Sequence, residues 1–187
     1  DLGKTDLEQR TEMRFTHVPP FRPQGDPADI RQALDILQNA EKPVIVAGGG
    51  VRHSGARAEL TRLAEGLNIP VVTSLNGKDT FLSTHPLSAG VVGSYSRASA
   101  NRTIGEADLV CFVGSKTGGM TTHFWQVPAP GIDAIQIDIE PAEIGRNYPL
   151  KAAVQGDAKT VLSAMAEMMD TETANIRTAW TTRMQTI

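Results

Sequence analysis

The sequence lacks the features that mark several large classes of protein. Its single cysteine, Cys111, excludes a disulfide within the chain. Its apolar runs are about as long as a strand, far short of the roughly 20 residues of a membrane span, and the N-terminus has no apolar signal core. The 18 basic residues form no cluster and are outnumbered by 21 acidic ones, which argues against nucleic acid as a partner. We therefore expect a cytoplasmic protein that contacts neither membrane nor nucleic acid.

Catalytic and metal-binding patterns are missing as well. The histidines stand singly in the sequence, at His17, His53, His85 and His123. Without H-x-x-x-H spacing or a cysteine partner, they predict no metal site. There is no G-x-S-x-G elbow and no Walker loop. The two tryptophans, Trp125 and Trp180, are interpreted as packing residues. We expect no catalytic residue in this chain.

What the sequence does contain is a regular alternation of apolar segments. Strand candidates cover residues 44–47, 70–73, 109–113, 134–139 and 152–155, with a weaker one near 89–92. Helical spacing follows Pro27, Ser54 and Asp157, and also covers residues 97–107. Apolar, β-branched strands that alternate with helices favour a parallel sheet covered on both faces. The predicted fold is α/β: a Rossmann-like doubly wound, mainly parallel six-stranded sheet with helices on both faces.

The two ends of the chain read differently from its middle. Residues 18–27 contain four prolines, which predicts an extended interdomain linker over residues 1–27. Asp26 and Pro27 suit the N-cap and first position of a helix. The apolar pattern thins over residues 171–187, a tail that could be a frayed helix or the start of another linker. The folded domain is predicted over residues 28–170. The chain begins at Asp1 rather than at methionine, which favours a piece of a longer polypeptide.

Three glycines directly follow the first predicted strand, at Gly48, Gly49 and Gly50. Glycine permits a tight turn and lets a phosphate approach the N-terminus of the next helix. The dinucleotide fingerprint would place a third glycine at position 53, where the chain has His53, and the next glycine is Gly55. A tight turn that binds nothing therefore remains an alternative.

Four more polar residues lie in segments that follow predicted strands. Lys78 and Lys116 are candidates for contacting a phosphate, or are solvated lysines of flexible loops. Asp138 could accept a hydrogen bond from a ribose, or could cap the next turn. Asp157 is interpreted first as the N-cap of the last predicted helix. The carboxyl ends of parallel strands share one edge, so we expect the loops after the main strands to lie together there.

Several short motifs occur in a specific order between residues 27 and 170. They are residues 42–51 (KPVIVAGGGV), 63–65, 69–73, 76–79, 85–87, Gly90, Gly93, 100–101, 106–110, Gly114 and 137–145 (IDIEPAEIG). In order and spacing these motifs resemble the central domain of thiamine-diphosphate-dependent enzymes of the acetolactate-synthase type. Residues 137–145 are the most specific part of the resemblance.

The resemblance implies that this chain is one of three domains of a carboligase or decarboxylase that acts on 2-oxo acids. In such enzymes thiamine diphosphate lies between the first and third domains. Magnesium holds the diphosphate through a G-D-G…N-N motif of the third domain. This chain has Gly156, Asp157 and Ala158 with no Asn-Asn pair following. The implied partners are the flanking domains of the same chain, within a homodimer or tetramer. The fragment itself is expected to be non-catalytic.

The resemblance also implies a pocket for an adenine nucleotide, because the central domain of some members holds FAD or ADP. Carried over, the contacts fall on Gly48, Gly49, Gly50, Lys116, Asp138, Ile139, Asp157 and Ala158. FAD-bearing members resemble G-x-R-F-D-D-R where this chain has Lys116, and G-M-H-G where it has Tyr95, and both departures argue against tight FAD binding. ADP, a CoA-like nucleotide or an empty pocket stay open, as does a stand-alone FAD- or NAD-type nucleotide-binding module. A sirtuin-like deacylase is disfavoured, because the chain lacks the cysteines of its zinc site.

Overall fold

Six β-strands form the centre of the protein. The structure is a computed structural model that describes residues 21–96 and 98–187, and the side chains of these except at 173, 175 and 176. The strands are β1 (Pro43–Ala47), β2 (Val71–Thr73), β3 (Ser88–Val91), β4 (Leu109–Val113), β5 (Asp133–Asp138) and β6 (Ala152–Gln155). They form one sheet in the order β3-β2-β1-β4-β5-β6, and every pair is parallel. The predicted α/β fold is confirmed, with each strand within one residue of its expected bounds.

Helices cover both faces of the sheet. They are α1 (Pro27–Asn39), α2 (Gly49–Ser54), α3 (Arg57–Leu67), α4 (Ala98–Gly105), α5 (Ala158–Met168) and α6 (Thr178–Gln185). Short 3-10 turns cover Leu75–Thr80, Pro141–Glu143 and Thr171–Arg177. One apolar layer joins α1, α3 and α5 to the sheet, and a second joins α4 and α6 to its other face. Within the described part of the chain, no helix is both long and apolar enough to cross a membrane.

Strand β4 shows why the sheet needs cover on both sides. Its five residues are all apolar and all buried. Successive side chains of a strand point to opposite faces, so Cys111 belongs to one core layer and Phe112 to the other. Burial raises the pKa of the Cys111 thiol to about 12. Such a continuous apolar run is typical of a parallel strand that never meets water.

The described end of the predicted linker lies against the domain. Asp26 caps α1 as expected, since its carboxylate accepts a hydrogen bond from the Ala28 N–H at 2.7 Å. The carbonyl oxygen of Pro23 accepts from the Asp157 N–H at 2.8 Å and from the Thr160 hydroxyl at 2.9 Å. Residues 1–20 of the predicted linker lie outside the described residues, so its extent stays a prediction.

The helix expected after Ser54 is confirmed as α3, whose buried residues are Leu60, Leu63, Ala64 and Leu67. A short helix that was not expected, α2, precedes it and ends where Gly55 adopts a left-handed φ of 69°. The last segment is packed more closely than its thin apolar pattern indicates. Trp180 and Met184, four residues apart on α6, are buried against the sheet, and the Trp180 indole N–H donates to the Pro43 carbonyl at 3.0 Å. Two apolar side chains on one helix face were too weak a pattern to indicate this packing.

Candidate functional site

The candidate site lies where the direction of the chain across the sheet reverses. Strands β1 and β4 are neighbours at the centre of the sheet. Strands β2 and β3 are added on the β1 side, and strands β5 and β6 are added on the β4 side. In open parallel sheets this reversal leaves a crevice outside the carboxyl ends of the two strands. The loops after β1, β2, β4 and β5 therefore share one edge, as predicted.

Two of the three predicted glycines hold this edge together. The Gly48 N–H donates to the Val113 carbonyl at 2.9 Å, and the Gly50 N–H donates to the Gly114 carbonyl at 2.9 Å. A Cβ on Gly48 would collide with the Gly114 carbonyl oxygen, and one on Gly50 would lie 2.6 Å from the Gly114 Cα. Both amides are engaged within the protein, so the tight-turn alternative accounts for these two glycines.

Gly49 is placed differently. A Cβ there would have the Asn76 Cβ as its nearest neighbour, at an ordinary 3.6 Å. Among the described residues, no backbone acceptor is found for the Gly49 N–H. The His53 ring lies beside it, with Nδ1 at 2.7 Å from the Gly49 carbonyl oxygen. Gly49 thus faces a cleft of about 550 Å³ between the loops after β1, β2 and β4.

The cleft beside Gly49 is positively charged and contains an unsatisfied hydroxyl. Arg52, Lys78 and Lys116 line it, against a single acidic side chain, Asp79. The Ser115 side chain is 2% exposed, and its Oγ has no hydrogen-bond partner in the described part of the chain. An anion with several acceptor oxygens would suit this set of donors.

Lys116 is partly neutralised by a buried acid. Its Nζ lies 3.5 Å from Glu143 Oε1, and the same oxygen receives the Arg146 guanidinium at 3.2 Å. The Gln136 side chain fixes the turn that carries Glu143, since it donates to the Glu143 carbonyl at 2.9 Å and accepts from the Gly145 N–H at 3.0 Å. An anion in the cleft would therefore compete with Glu143 for the Lys116 ammonium group.

A second, smaller cavity adjoins the first. It has a volume of about 200 Å³ and shares Gly50, His53 and Gly114 with the larger cleft. Its other wall contains four residues from the sequence-based site, Asp138, Ile139, Asp157 and Ala158. The structure therefore brings together all the predicted site residues along this edge, although Gly48 lines neither cavity.

The two aspartates of the smaller cavity both support local structure. Asp157 Oδ1 accepts from the N–H groups of Lys159 and Thr160, at 3.1 and 3.3 Å, which confirms its role as the N-cap of α5. Asp138 Oδ1 accepts from the Glu140 N–H at 3.0 Å, so it stabilises the turn after β5. Burial raises the pKa of the Asp138 carboxyl, although hydrogen bonds from the Glu140 and Ile139 backbone oppose this shift. Asp138 also faces the cavity.

Three residues of the site were missed as candidates. His53 and Gly114 line both cavities, and Ser115 contributes the unsatisfied hydroxyl. Gly114 has a left-handed φ of 53° and touches Gly50, which only the packing of two loops reveals. Its position directly after a strong strand was the one sequence signal available.

The sequence matches the model of a known family. Residues 30–165 match the family described as the thiamine pyrophosphate enzyme central domain. This chain belongs to that family. The resemblance seen in the sequence is thereby confirmed. The match covers all six strands of the central domain and ends within α5.

Named relatives of this central domain are acetolactate synthases. It is 40% identical over 162 residues to a probable acetolactate synthase large subunit of Methanocaldococcus jannaschii, covering 86% of this chain and 27% of that protein. It is 34% identical over 151 residues to the acetolactate synthase isozyme 3 large subunit of Escherichia coli K12, covering 81% and 26%. A solved structure described as a thiamin diphosphate-dependent enzyme from Mycobacterium smegmatis aligns with a TM-score of 0.65 and 26% identity, covering 83% of this chain and 30% of that one.

The chain spans about a quarter of the length of these curated relatives. Within it, the residues do not fit a magnesium–diphosphate site. In residues 21–96 and 98–187, no group of three or more His, Cys, Asp or Glu side chains could hold a metal ion. Asp157, in the Gly156-Asp157-Ala158 segment, accepts N–H groups of the first turn of α5 through Oδ1.

Proposed function

We propose that this central domain is a structural, non-catalytic part of a thiamine-diphosphate-dependent carboligase or decarboxylase that acts on 2-oxo acids. Membership of the family supports this, as do relatives named acetolactate synthase of which this chain covers only 27% and 26%. The proposed partners are flanking domains of the same polypeptide, in a cytoplasmic homodimer or tetramer. Thiamine diphosphate and magnesium would be held by those domains.

We further propose that the edge of the sheet at β1 and β4 binds an adenine nucleotide weakly. The observation that carries this is that the two cavities share Gly50, His53 and Gly114 in their walls. The phosphates would lie in the larger, cationic cleft beside Gly49 and Lys78. The adenosine would lie in the smaller cavity, whose lining is mostly apolar and includes Asp138.

Three features of the site limit its affinity. The Gly48 and Gly50 amides already donate to carbonyls, so one amide of the glycine turn is left for a phosphate. Lys116 is paired with Glu143 at 3.5 Å. A lysine also lacks the two-pronged geometry with which arginine holds phosphate. The purified chain should therefore be colourless, because FAD would not be retained.

Calorimetric titration with ADP and with FAD tests the pocket. Gly49→Val places a branched side chain in the larger cleft and should weaken ADP binding by about tenfold or more, which corresponds to about 1.4 kcal/mol. Gly105→Val is the matched control, because it adds the same side chain at the end of α4, where no atom lies within 4 Å of the new Cβ. Equal ADP affinity in both variants would place the nucleotide elsewhere, and no heat with the unmodified chain would indicate an empty pocket.

Turnover measurements test the non-catalytic assignment. The 187-residue chain should not release carbon dioxide from pyruvate or glyoxylate when thiamine diphosphate and magnesium are supplied. Its two Gly-Asp segments, Gly25-Asp26 and Gly156-Asp157, are engaged in capping α1 and α5. Turnover above the rate of buffer with cofactor alone would contradict the proposal.

A further inference from the structure

Four large apolar side chains are grouped on two adjacent loops at the carboxyl edge of the sheet. Tyr95, Met120, Phe124 and Trp125 are 71%, 50%, 61% and 46% exposed, and we call them the aromatic patch. The Ser94 N–H donates to the Met120 carbonyl at 2.9 Å, which joins the loop after β3 to the loop after β4. The described residues include five other exposed large apolar side chains, and none of these belongs to the two loops.

The patch surrounds one glycine. A Cβ on Gly119 would lie 3.3 Å from the Phe124 ring and 3.6 Å from the Trp125 ring, so both rings border the same point. Met120 is the next residue in the chain. Trp125 was interpreted from the sequence as a packing residue, but nearly half of it is exposed. Exposed apolar side chains grouped on adjacent loops in this way commonly mark an interaction site.

Hydrogen bonds fix the Trp125 ring of the patch. The Trp125 indole N–H donates to the Thr117 carbonyl at 3.2 Å, and its backbone N–H donates to the Thr122 hydroxyl at 3.0 Å. Thr122 is fully buried and its hydroxyl also donates to the Gly118 carbonyl at 3.1 Å. A surface loop that merely connected two strands would not need its indole ring fixed in this way.

The backbone beneath the patch is in a conformation that costs energy. His123, Phe124 and Trp125 have φ values of 47°, 55° and 60°. For residues other than glycine the left-handed region costs of order 1–3 kcal/mol each and persists where surrounding contacts enforce it. Three successive residues of this kind, two of them aromatic, place exposed rings at the cost of local stability. That combination is expected of a surface selected for contact rather than for folding.

We propose that the aromatic patch is the docking surface for another domain of the thiamine-diphosphate enzyme, an inference that rests on the proposed function. Tyrosine, methionine, phenylalanine and tryptophan are the residue types enriched in the cores of protein interfaces. The family is one of central domains, and this chain covers 27% and 26% of two relatives, so most of such an enzyme lies outside it. We expect the surface that covers Phe124 and Trp125 to be apolar, because the buried centres of interfaces are depleted of charged residues.

Hydroxyl-radical footprinting with mass spectrometry tests the docking surface directly. The 187-residue chain and the complete gene product are oxidised in parallel, with an added reporter peptide to equalise the dose. Oxidation of Met120 and Trp125 should fall about fivefold or more in the complete protein, because interface cores exclude water. Met168 on α5, 38% exposed and outside the patch, is the internal comparison. Equal oxidation of Met120 and Trp125 in the two proteins would overturn the proposal.

A variant pair separates docking from folding. Phe124→Asn keeps a residue that tolerates the left-handed backbone, and Leu82→Asn removes an apolar side chain that is 73% exposed outside the patch. In the complete protein, Phe124→Asn should lower thiamine-diphosphate-dependent turnover about tenfold, while the Tm of the 187-residue chain should not fall. Leu82→Asn should change neither. Full turnover with Phe124→Asn would contradict the docking role and leave the proposed function intact.

The remaining outcomes are also distinguishable. If Met120 and Trp125 become protected in the 187-residue chain alone as its concentration is raised, a second copy of the chain covers the patch and the proposal fails. If the complete gene product shows no thiamine-diphosphate-dependent turnover at all, the proposed function fails, and the domain-docking inference with it.

Discussion

Replacing Arg177 by methionine should be among the most damaging single changes to this domain. The Arg177 side chain is completely buried between the ends of two helices. It donates five hydrogen bonds to four carbonyl oxygens, those of Leu37 (2.9 Å), Gln38 (2.6 Å), Ala40 (two, each 3.1 Å) and Leu67 (2.8 Å). These carbonyls lie at the carboxyl ends of α1 and α3, where helices leave carbonyl groups without partners and carry partial negative charge.

The size of the effect follows from what methionine would leave behind. Methionine fills much of the same volume but donates nothing, so the Leu37 and Leu67 carbonyls would stay buried without partners. An unsatisfied buried polar group costs about 1–3 kcal/mol. Some of this loss is offset, because a guanidinium is itself expensive to bury, and burial lowers the pKa of Arg177. We expect a net loss of about 3–5 kcal/mol.

That loss is large against a typical domain stability of about 5–15 kcal/mol. For a chain of this size it should lower Tm by roughly 6–20 °C, measured by calorimetry or far-UV circular dichroism. Arg177→Lys should fall between, because one ammonium cannot reach both helix ends at once.

Arg183→Met supplies the control. Arg183 lies on α6, and its guanidinium pairs with Glu106 at 2.8 and 3.1 Å on the surface. Exposed ion pairs contribute little, so Tm should barely change. If Arg177→Met lowered Tm no more than Arg183→Met, the hydrogen bonds of Arg177 would not be what holds the last segment to α1 and α3.

Three further predictions concern the core and the candidate site. Gly50→Ala should lower the free energy of unfolding in urea by about 1–3 kcal/mol, because its Cβ would lie 2.6 Å from the Gly114 Cα. Gly49→Ala should be close to neutral, and equal effects of the two substitutions would contradict the packing of the two loops. Asp138→Asn should raise Tm at pH 7. The pKa of the native carboxyl is raised, so ionisation disfavours the fold above that pKa, and the gain should vanish as the pH falls below the ordinary Asp value of 3.8. Cys111, with its pKa raised to about 12, should resist a thiol reagent at pH 8 until the protein unfolds, and rapid native labelling would refute its burial.

The sequence by itself determined the sheet. Residues 44–47 and 109–113 are continuous apolar runs rich in β-branched side chains, a pattern typical of strands covered on both faces. A glycine follows each of these runs, at Gly48 and Gly114, and marks the end of the strand. Because parallel strands end at the same edge of a sheet, these positions also located the candidate site. The order of short motifs, above all residues 137–145, was enough to indicate the family. Each of these features depends on residues that are close together in the sequence, so the sequence pattern is enough to predict them.

What only the tertiary structure decided depends on contacts between distant residues. Gly48 and Gly50 could have offered their amides to a phosphate, but those amides meet Val113 and Gly114, more than 60 positions away in the sequence. The apolar pattern thins in the last segment, yet Arg177 donates to the carbonyls of residues 37, 38, 40 and 67. Trp125 was interpreted as a packing residue, yet nearly half of it is exposed. A hydrogen bond or a buried contact needs both partners to be brought together, and the spacing of residues along the chain does not contain that information.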